Sequence, residues 1–415
     1  MAKSIHGSRR GFLGVISAWG GLAAALNAAP NANPDAYWDL VREQFPLEKE
    51  LVYLNAANIC PASRLVSDRH AQFAKDFNAN PSMQNREKFK TMQEEVRGKL
   101  AGMLGASADE IAITRNTSEA SNLIVQGIDL QAGDEIVITD HNHQSNKEAW
   151  LVRAKRHGLV IKTVTVPIPA LSKEALIAAF ERAMTPRTKV VAFTHVTSTT
   201  GTVFPAREIC ELAHRRNAWV HLDGAQSFGM LRINLREIGC DSFSGSAHKW
   251  MMGPLEAGVL YVRESQIPRI WPAIVTAGWS ETLKGARKFE NVGQRDDPRV
   301  SAFGAAIDFY NLVGPRKVEE RARALAAHLK HKLANVPNIR MKTNLQPELS
   351  AGIVKVQITN RPTRECFDRL WKNHHLALAI TDSGDAEGLR ISPHIYNSMA
   401  ELDRAVAAIL EVSRG

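Results

Sequence analysis

Cysteine is scarce in this chain. Four occur in 415 residues, Cys60, Cys210, Cys240 and Cys366. None stands at a metal-ligand spacing from another, so a thiolate metal centre is not expected and the four read as buried free thiols. Long apolar runs are missing as well. The uncharged stretch from Gly11 to Pro30 is too short and too weakly hydrophobic for a membrane span. Internal repeats and low-complexity tracts are absent. Disorder is excluded by a hydrophobic content of 44%. The formal charge is +9, yet the basic residues are scattered through helical patterns that also carry acids. Such faces are solvated surfaces, so no nucleic-acid partner is expected.

Acids are missing from the first thirty residues, which carry Lys3, Arg9 and Arg10. Ser8-Arg9-Arg10-Gly11-Phe12-Leu13 is a twin-arginine sequence followed by an Ala- and Gly-rich stretch. Residues 1–30 therefore read as a signal segment for the twin-arginine export machinery, giving a periplasmic or secreted protein. That route carries folded proteins. Asn27-Ala28-Ala29 is a loose match to a small-x-small cleavage site. The plain alternative is a basic start before an Ala-rich helix.

From Ile111 onward, short apolar runs alternate with amphipathic stretches. Strands are expected at Glu110–Arg115, Glu135–Asp140, Val160–Val166, Lys189–Val196, Ala218–Asp223, Asp241–Ala247 and Gly258–Val262. Helical patterns at Ser145–His157, Ser172–Met184 and Pro205–Arg216 separate them. Such alternation argues an α/β domain with a mostly parallel seven-stranded sheet. After about Arg299, two long helical patterns, Ser301–Val313 and Arg316–Val336, lead to strand runs Gly352–Thr359, Leu376–Thr381 and Leu389–Pro393 and a final helix from Ser398. This predicts a smaller α+β domain.

The segment from Val220 to Trp250 reads VHLDGAQSFGMLRINLREIGCDSFSGSAHKW. One apolar run ends in Asp223, and a second small-and-apolar run ends in Ser246-Ala247-His248-Lys249. Alone, such a lysine is a surface residue and such an aspartate a turn or cap residue. Together, at neighbouring strand ends, they are what pyridoxal 5'-phosphate (PLP) needs. The lysine forms the Schiff base, and the acid keeps the pyridine nitrogen protonated. Ligands in such sheets sit at the carboxyl ends of strands.

This segment resembles the class V aminotransferase group, which includes cysteine desulfurases, selenocysteine lyases and isopenicillin N epimerase. The resemblance runs from about Leu51 to the C-terminus. It implies PLP fold type I, a homodimer, PLP as cofactor, and Lys249, Asp223 and His143 as catalytic residues. The expected division is 31–55 as an N-terminal segment packing on the small domain, 56–298 as the large PLP-binding domain and 299–415 as the small one. Ile113-Thr114-Arg115-Asn116-Thr117-Ser118-Glu119-Ala120 passes from a strand into a helix. Its bland reading is helix capping by Asn116. The resemblance makes it the phosphate cradle, with Thr117 and Ser118 on the anion and Ser246 and His248 adding hydrogen bonds.

Asp140-His141-Asn142-His143-Gln144-Ser145 follows the next strand. The two histidines have no third ligand at a clear spacing, so no metal is expected. The resemblance places His143 over the pyridine ring, where flat rings stack. Phe193-Thr194-His195-Val196-Thr197-Ser198-Thr199-Thr200-Gly201 looks closer to isopenicillin N epimerase relatives than to desulfurases, which carry Asn where Ser198 stands. Ser198 and Gln226 are the candidates for the ring's phenolate edge. His195 is equally a strand-end histidine with a structural bond. Leu389-Arg390-Ile391-Ser392 resembles the strand whose arginine holds the substrate carboxylate through a planar fork. Leu54-Asn55-Ala56-Ala57-Asn58 resembles the motif that lines the same pocket, which adds Asn55. Gln294 stands where the family has a threonine reaching the neighbouring subunit's phosphate.

Two departures narrow the function. Desulfurases need a cysteine shortly before the carboxylate-binding arginine, and Leu376-Ala377-Leu378-Ala379-Ile380-Thr381-Asp382-Ser383-Gly384-Asp385 has none. A desulfurase is therefore not expected. Glu256 stands where relatives commonly have glycine, and it either selects a cationic group or points to solvent. The expected function is a PLP enzyme acting at Cα of an amino acid or amino-acid-like amine, of aminotransferase type or tailoring an exported metabolite or peptide. An epimerase or β-lyase is the alternative, and a non-catalytic periplasmic binding protein on the same fold stands behind both.

Overall fold

A strand buried on both faces alternates its side chains between two cores. Ile111, Ile113, Val137, Val191, Phe193, Val259 and Tyr261 enter one apolar cluster. Their neighbours Ala112, Ile136, Ile138, Val190, Ala192, Leu260 and Val262 enter another on the opposite face. This period of two fixes the large sheet of the chain. The computed structural model describes residues 19–28, 34–277 and 283–414. The Arg9-Arg10 pair lies outside the described residues.

The large sheet comes after β1 (Val52–Tyr53) and is built from β2 (Ile111–Thr114), β3 (Glu135–Thr139), β4 (Val160–Val164), β5 (Thr188–Thr194), β6 (Trp219–Asp223), β7 (Ser242–Ser246) and β8 (Gly258–Val262). Its spatial order is β2-β8-β7-β6-β5-β3-β4. Only β8 runs against its neighbours β2 and β7; the pairs from β7 to β4 are parallel. The helices are α1 (residues 19–28), α2 (Pro34–Arg42), α3 (Arg64–Ala79), α4 (Met83–Leu104), α5 (Thr117–Gly127), α6 (Gln144–His157), α7 (Lys173–Ala183), α8 (Ala206–His214) and α9 (Leu235–Ile238). The order then continues through α10 (Asp297–Val313), α11 (Pro315–Leu333), β9 (Ile339–Met341), β10 (Val354–Ile358), α12 (Thr363–His374), β11 (Leu376–Ala377), β12 (Ala379–Thr381), β13 (Gly388–Ile391) and α13 (Met399–Arg414). This is the α/β architecture of PLP fold type I, with a four-stranded antiparallel sheet β12-β13-β10-β9 beside the large one.

The cores divide later than the change in sequence pattern. Val300, Phe303, Ile307, Phe309 and Tyr310 of α10 pack in the main cluster. The small cluster takes its residues from Val52, Leu54 and then Leu325 onward. Residues 34–54 also split. Val52 and Tyr53 pair with β11, while Tyr37 and Val41 join the main core. The Tyr37 hydroxyl donates to the Val313 carbonyl at 2.7 Å. In α1, Leu22 and Leu26 are buried against the main core. Among the described residues no helix is long and apolar enough to cross a membrane.

Among the histidines buried in this interior are His195, His221 and His394. Burial pulls each from an ordinary 6.5 to about 4. The unfolded chain then takes up protons that the folded chain refuses. The stability they confer is full above 6.5 and is lost as pH falls towards 4. Within that window each contributes a slope of up to ~1.4 kcal/mol per pH unit. We expect the thermal-unfolding midpoint to fall most steeply there, and His221→Asn to make the slope shallower by about one proton. Calorimetric scans across pH measure this, and a flat profile through the window contradicts it.

Candidate active site

The parallel strands deliver their carboxyl ends to one edge. β2 ends at Thr114, β3 at Thr139, β5 at Thr194, β6 at Asp223 and β7 at Ser246. The start of α5 lies directly against β7 and β8. A side chain at Gly258 would place its Cβ 2.7 Å from the Gly245 carbonyl oxygen and 2.9 Å from Asn116 Cα, so glycine permits that approach. Asn116 caps the helix, its Oδ1 accepting from the Glu119 amide at 2.9 Å. The Thr117 amide donates to Ser246 Oγ at 2.8 Å, and the two hydroxyls lie 2.7 Å apart. Thr117 and Ser246 therefore meet at a helix N-terminus, where amides and the helix dipole favour an anion. Ser118 sits on the exposed side, its hydroxyl donating to Ser145 Oγ at 3.3 Å.

Asp223 is 2% exposed. Its Oδ1 accepts from the Ala225 amide at 2.9 Å, and its Oδ2 from Asn146 Nδ2 at 3.4 Å. No cation within the described residues neutralises it. Lys249 is half-buried in the same cleft. Burial lowers its pKa most, Asp223 opposes, and Arg390 lowers it further. His143 caps α6 and faces the same three charges. Burial and Lys249 lower its pKa, against a smaller opposing pull from Asp223. Its Nδ1 lies 2.8 Å from Ser145 Oγ. His248 is pulled to about 4 by burial and by Lys249, and its Nδ1 is buried without a partner.

Arg390 comes from β13 of the small sheet. Its Nη1 donates to the Ser198 carbonyl at 2.9 Å and its Nη2 to Asn55 Oδ1 at 3.0 Å. Nε is buried and unpartnered, and burial lowers the guanidinium to about 10. Ser198 thus meets the arginine through its backbone. Gln226 is locked at both ends. Its Oε1 accepts from the Trp250 indole at 2.8 Å, and its Nε2 donates to the Ala57 carbonyl at 2.9 Å. An indole only donates, so this bond fixes the amide orientation and leaves one N–H uncommitted. His195 stays off the charged cluster, with its amide on the Asp223 carbonyl at 2.8 Å.

These residues fit PLP. An unpaired buried carboxylate suits a protonated pyridine nitrogen. The Thr117–Ser246 helix start suits a phosphate, and unpartnered His248 Nδ1 and Arg390 Nε await acceptors. The family model "Aminotransferase class-V" matches residues 52–405. The chain belongs to the class V aminotransferase family. Its cofactor is PLP. The isopenicillin N epimerase of Amycolatopsis lactamdurans is 31% identical over 394 residues, covering 91% of this chain and 99% of that protein. That of Streptomyces clavuligerus is 29% identical, covering 90% and 98%. A probable cysteine desulfurase of Methanothermobacter thermautotrophicus is 28% identical, covering 90% and 97%. The apo cysteine desulfurase of Thermococcus onnurineus shares the fold with a TM-score of 0.83 at 22% identity, covering 91% of this chain and 98% of that one.

Class V membership leaves some residues to the structure. Asn146, which bonds Asp223, was missed; its signal is its place three positions after His143 on the first turn of α6. Trp250, which orients Gln226, carries no local signal. Glu256 spends its charge on an ion pair with Arg299 at the surface. Gln294 Oε1 accepts from Arg86 at 2.9 Å.

If Arg390 grips a carboxylate, Arg390→Lys keeps the charge and loses the fork. Binding of an amino acid should weaken by roughly 1.5–3 kcal/mol, while binding of the matching decarboxylated amine stays unchanged. Titration of both ligands against both proteins tests this. Equal losses would make Arg390 a structural residue.

Proposed function

We propose that this chain is a PLP enzyme that moves the Cα proton of an α-amino acid, with epimerisation as the net reaction. The observation that carries the reading is that Lys249 lies within electrostatic reach of both Asp223 and Arg390, neither of which forms an ion pair among the described residues. Bound PLP supplies an electron sink for the pair left at Cα. Arg390 orients the substrate by its carboxylate. Lys249, its pKa lowered chiefly by burial, is suited to take the proton from one face of Cα, and epimerisation then requires a proton to be returned to the opposite face. Asp223 would hold positive charge at the pyridine nitrogen, and His143 would offer a flat ring beside it.

Epimerisation, in preference to transamination, is supported by likeness to the two isopenicillin N epimerases over about nine-tenths of the chain. Sulfur transfer is disfavoured by the thiols. All four are buried, and burial raises the pKa of each. The 382–387 turn before Arg390 has no cysteine. A reactive thiol needs the opposite setting, exposed and electropositive. We extend the reading to a homodimer, with exposed Leu255, Ile274 and Val275 covered by a second copy.

The test is an amino-acid panel with the holoenzyme in heavy water, followed by proton NMR and chiral analysis. We expect Cα exchange with inversion and no oxo acid, all abolished by Lys249→Ala. Oxo acid production would reassign the reaction to transamination. No exchange with any member would sink the reading.

We propose also that the protein is exported through the twin-arginine route, on the strength of Arg9-Arg10 in an acid-free N-terminus. Changing both to lysine should hold the protein in the cytoplasm while wild type reaches the periplasm or medium. Fractionation and immunoblotting decide it, and equal recovery from both would remove the assignment.

A further inference from the structure

Strands β9, β10 and β13 bring three basic residues into one row. The antiparallel register sets Lys355 opposite Arg390. On the other side, Val356 pairs with Met341, so Lys342 comes opposite Lys355 and its amide donates to the Lys355 carbonyl at 2.9 Å. Directly opposed residues share a face of the sheet. The other face is apolar: Val354, Val356, Ile358, Leu389 and Ile391 fill the small core. The basic row therefore faces the large domain, where Arg390 already reaches Ser198.

Like charges placed directly opposite destabilise a sheet. Among the described residues, no acid forms an ion pair with any of these three. Lys355 Nζ donates to Thr381 Oγ1 at 2.8 Å, and Lys342 Nζ donates to the Asp385 carbonyl at 3.0 Å. The nearby acids are engaged elsewhere. Asp382 pairs with Arg364 at 2.6 Å. Glu387 accepts from Thr363 Oγ1 at 2.8 Å and from Gln357 Nε2 at 3.1 Å. Lys355 is 0% exposed. Burial, Arg390 and Lys342 together pull it to about 7, against Asp382 and Glu387. A buried cation without a counter-charge is costly in a fold. Arg390 and Lys355 thus stand side by side with no acid in an ion pair with either among the described residues.

We propose that the substrate is an acidic α-amino acid unit: its α-carboxylate lies on Arg390, and a second anionic group on its side chain is read by Lys355, with Lys342 behind it. Lys355 is then a specificity residue. Its four-carbon stem is flexible, and it has only to exchange the Thr381 hydroxyl for the anion. The proposal rests on the reading of Arg390 as the carboxylate site.

The experiment is calorimetric titration of the holoenzyme with glutarate and adipate, and with the monocarboxylates of equal chain length. It is run at about pH 6, where Lys355 is mostly charged. We expect wild type to prefer the dicarboxylates by about tenfold or more, the scale of one charge-assisted hydrogen bond. Lys355→Met should erase that preference and leave monocarboxylate binding unchanged. Should that variant fail to fold, Lys355→Gln, which keeps a donor for Thr381, carries the same comparison. Equal affinities in wild type, a preference that survives the substitution, or an equal loss for both ligand classes would each overturn the proposal. These ligands have no amino group, so their binding does not call on proton transfer. Loss of the dicarboxylate preference and loss of Cα exchange are therefore separate results.

Discussion

Three charged groups share one cleft without an ion pair among them: Asp223, Lys249 and Arg390. Leaving a charge in a partly dry site costs several kcal/mol unless hydrogen bonds and opposite charge offset it. Here the offset from the chain itself is incomplete. Asp223 has an amide and a side-chain amide. Arg390 has a carbonyl and Asn55 Oδ1. All of these partners are neutral. The remaining electrostatic need matches, sign for sign, a protonated pyridine nitrogen and a substrate carboxylate. The architecture is thereby complementary to its ligands and not to itself.

The sheet makes that possible. Parallel strands end together, so groups far apart in sequence arrive at one edge. A buried ion pair ties the neighbouring layers to that edge. Arg97 of α4 meets Glu290 at 2.5 and 2.9 Å and also donates to the Ile111 carbonyl at 2.7 Å. Glu290 accepts in turn from the Ile113 amide at 2.5 Å. The strand that launches the phosphate helix is thus clamped to α4 and to the segment that carries Gln294. Removing one partner would leave the other charged and buried, which is the costly way to break such a pair.

Much of this was legible because it is local. The seven strands of the large sheet follow apolar runs, and Asp223, Lys249, Thr117 and Ser246 sit at run ends that any α/β sheet turns into a site. What was not legible is non-local. The pattern change near Arg299 marks a switch from alternating to long helical segments. The cores divide elsewhere, because α10 turns its apolar side to α3 and α4. Gln226 is fixed by Trp250 and Ala57, contacts that only the closed fold creates. The row of Lys342, Lys355 and Arg390 depends on strand register across three segments. Each lysine alone reads as an ordinary polar position on a half-buried strand.

The two imidazoles beside Lys249 complete the electrostatic logic. A cleft with one acid can neutralise one cation well. Were His143 protonated, it would compete for Asp223, the carboxylate that suits a pyridine nitrogen. Burial and the nearby lysine lower both, and His248 falls to about 4. Kept neutral, His143 presents a flat ring whose Nδ1 lies 2.8 Å from Ser145 Oγ, a surface of the kind on which an aromatic ring can stack. Burial first, and Lys249 beside it, keep both histidines neutral, which leaves Asp223 without a cationic imidazole partner among the described residues.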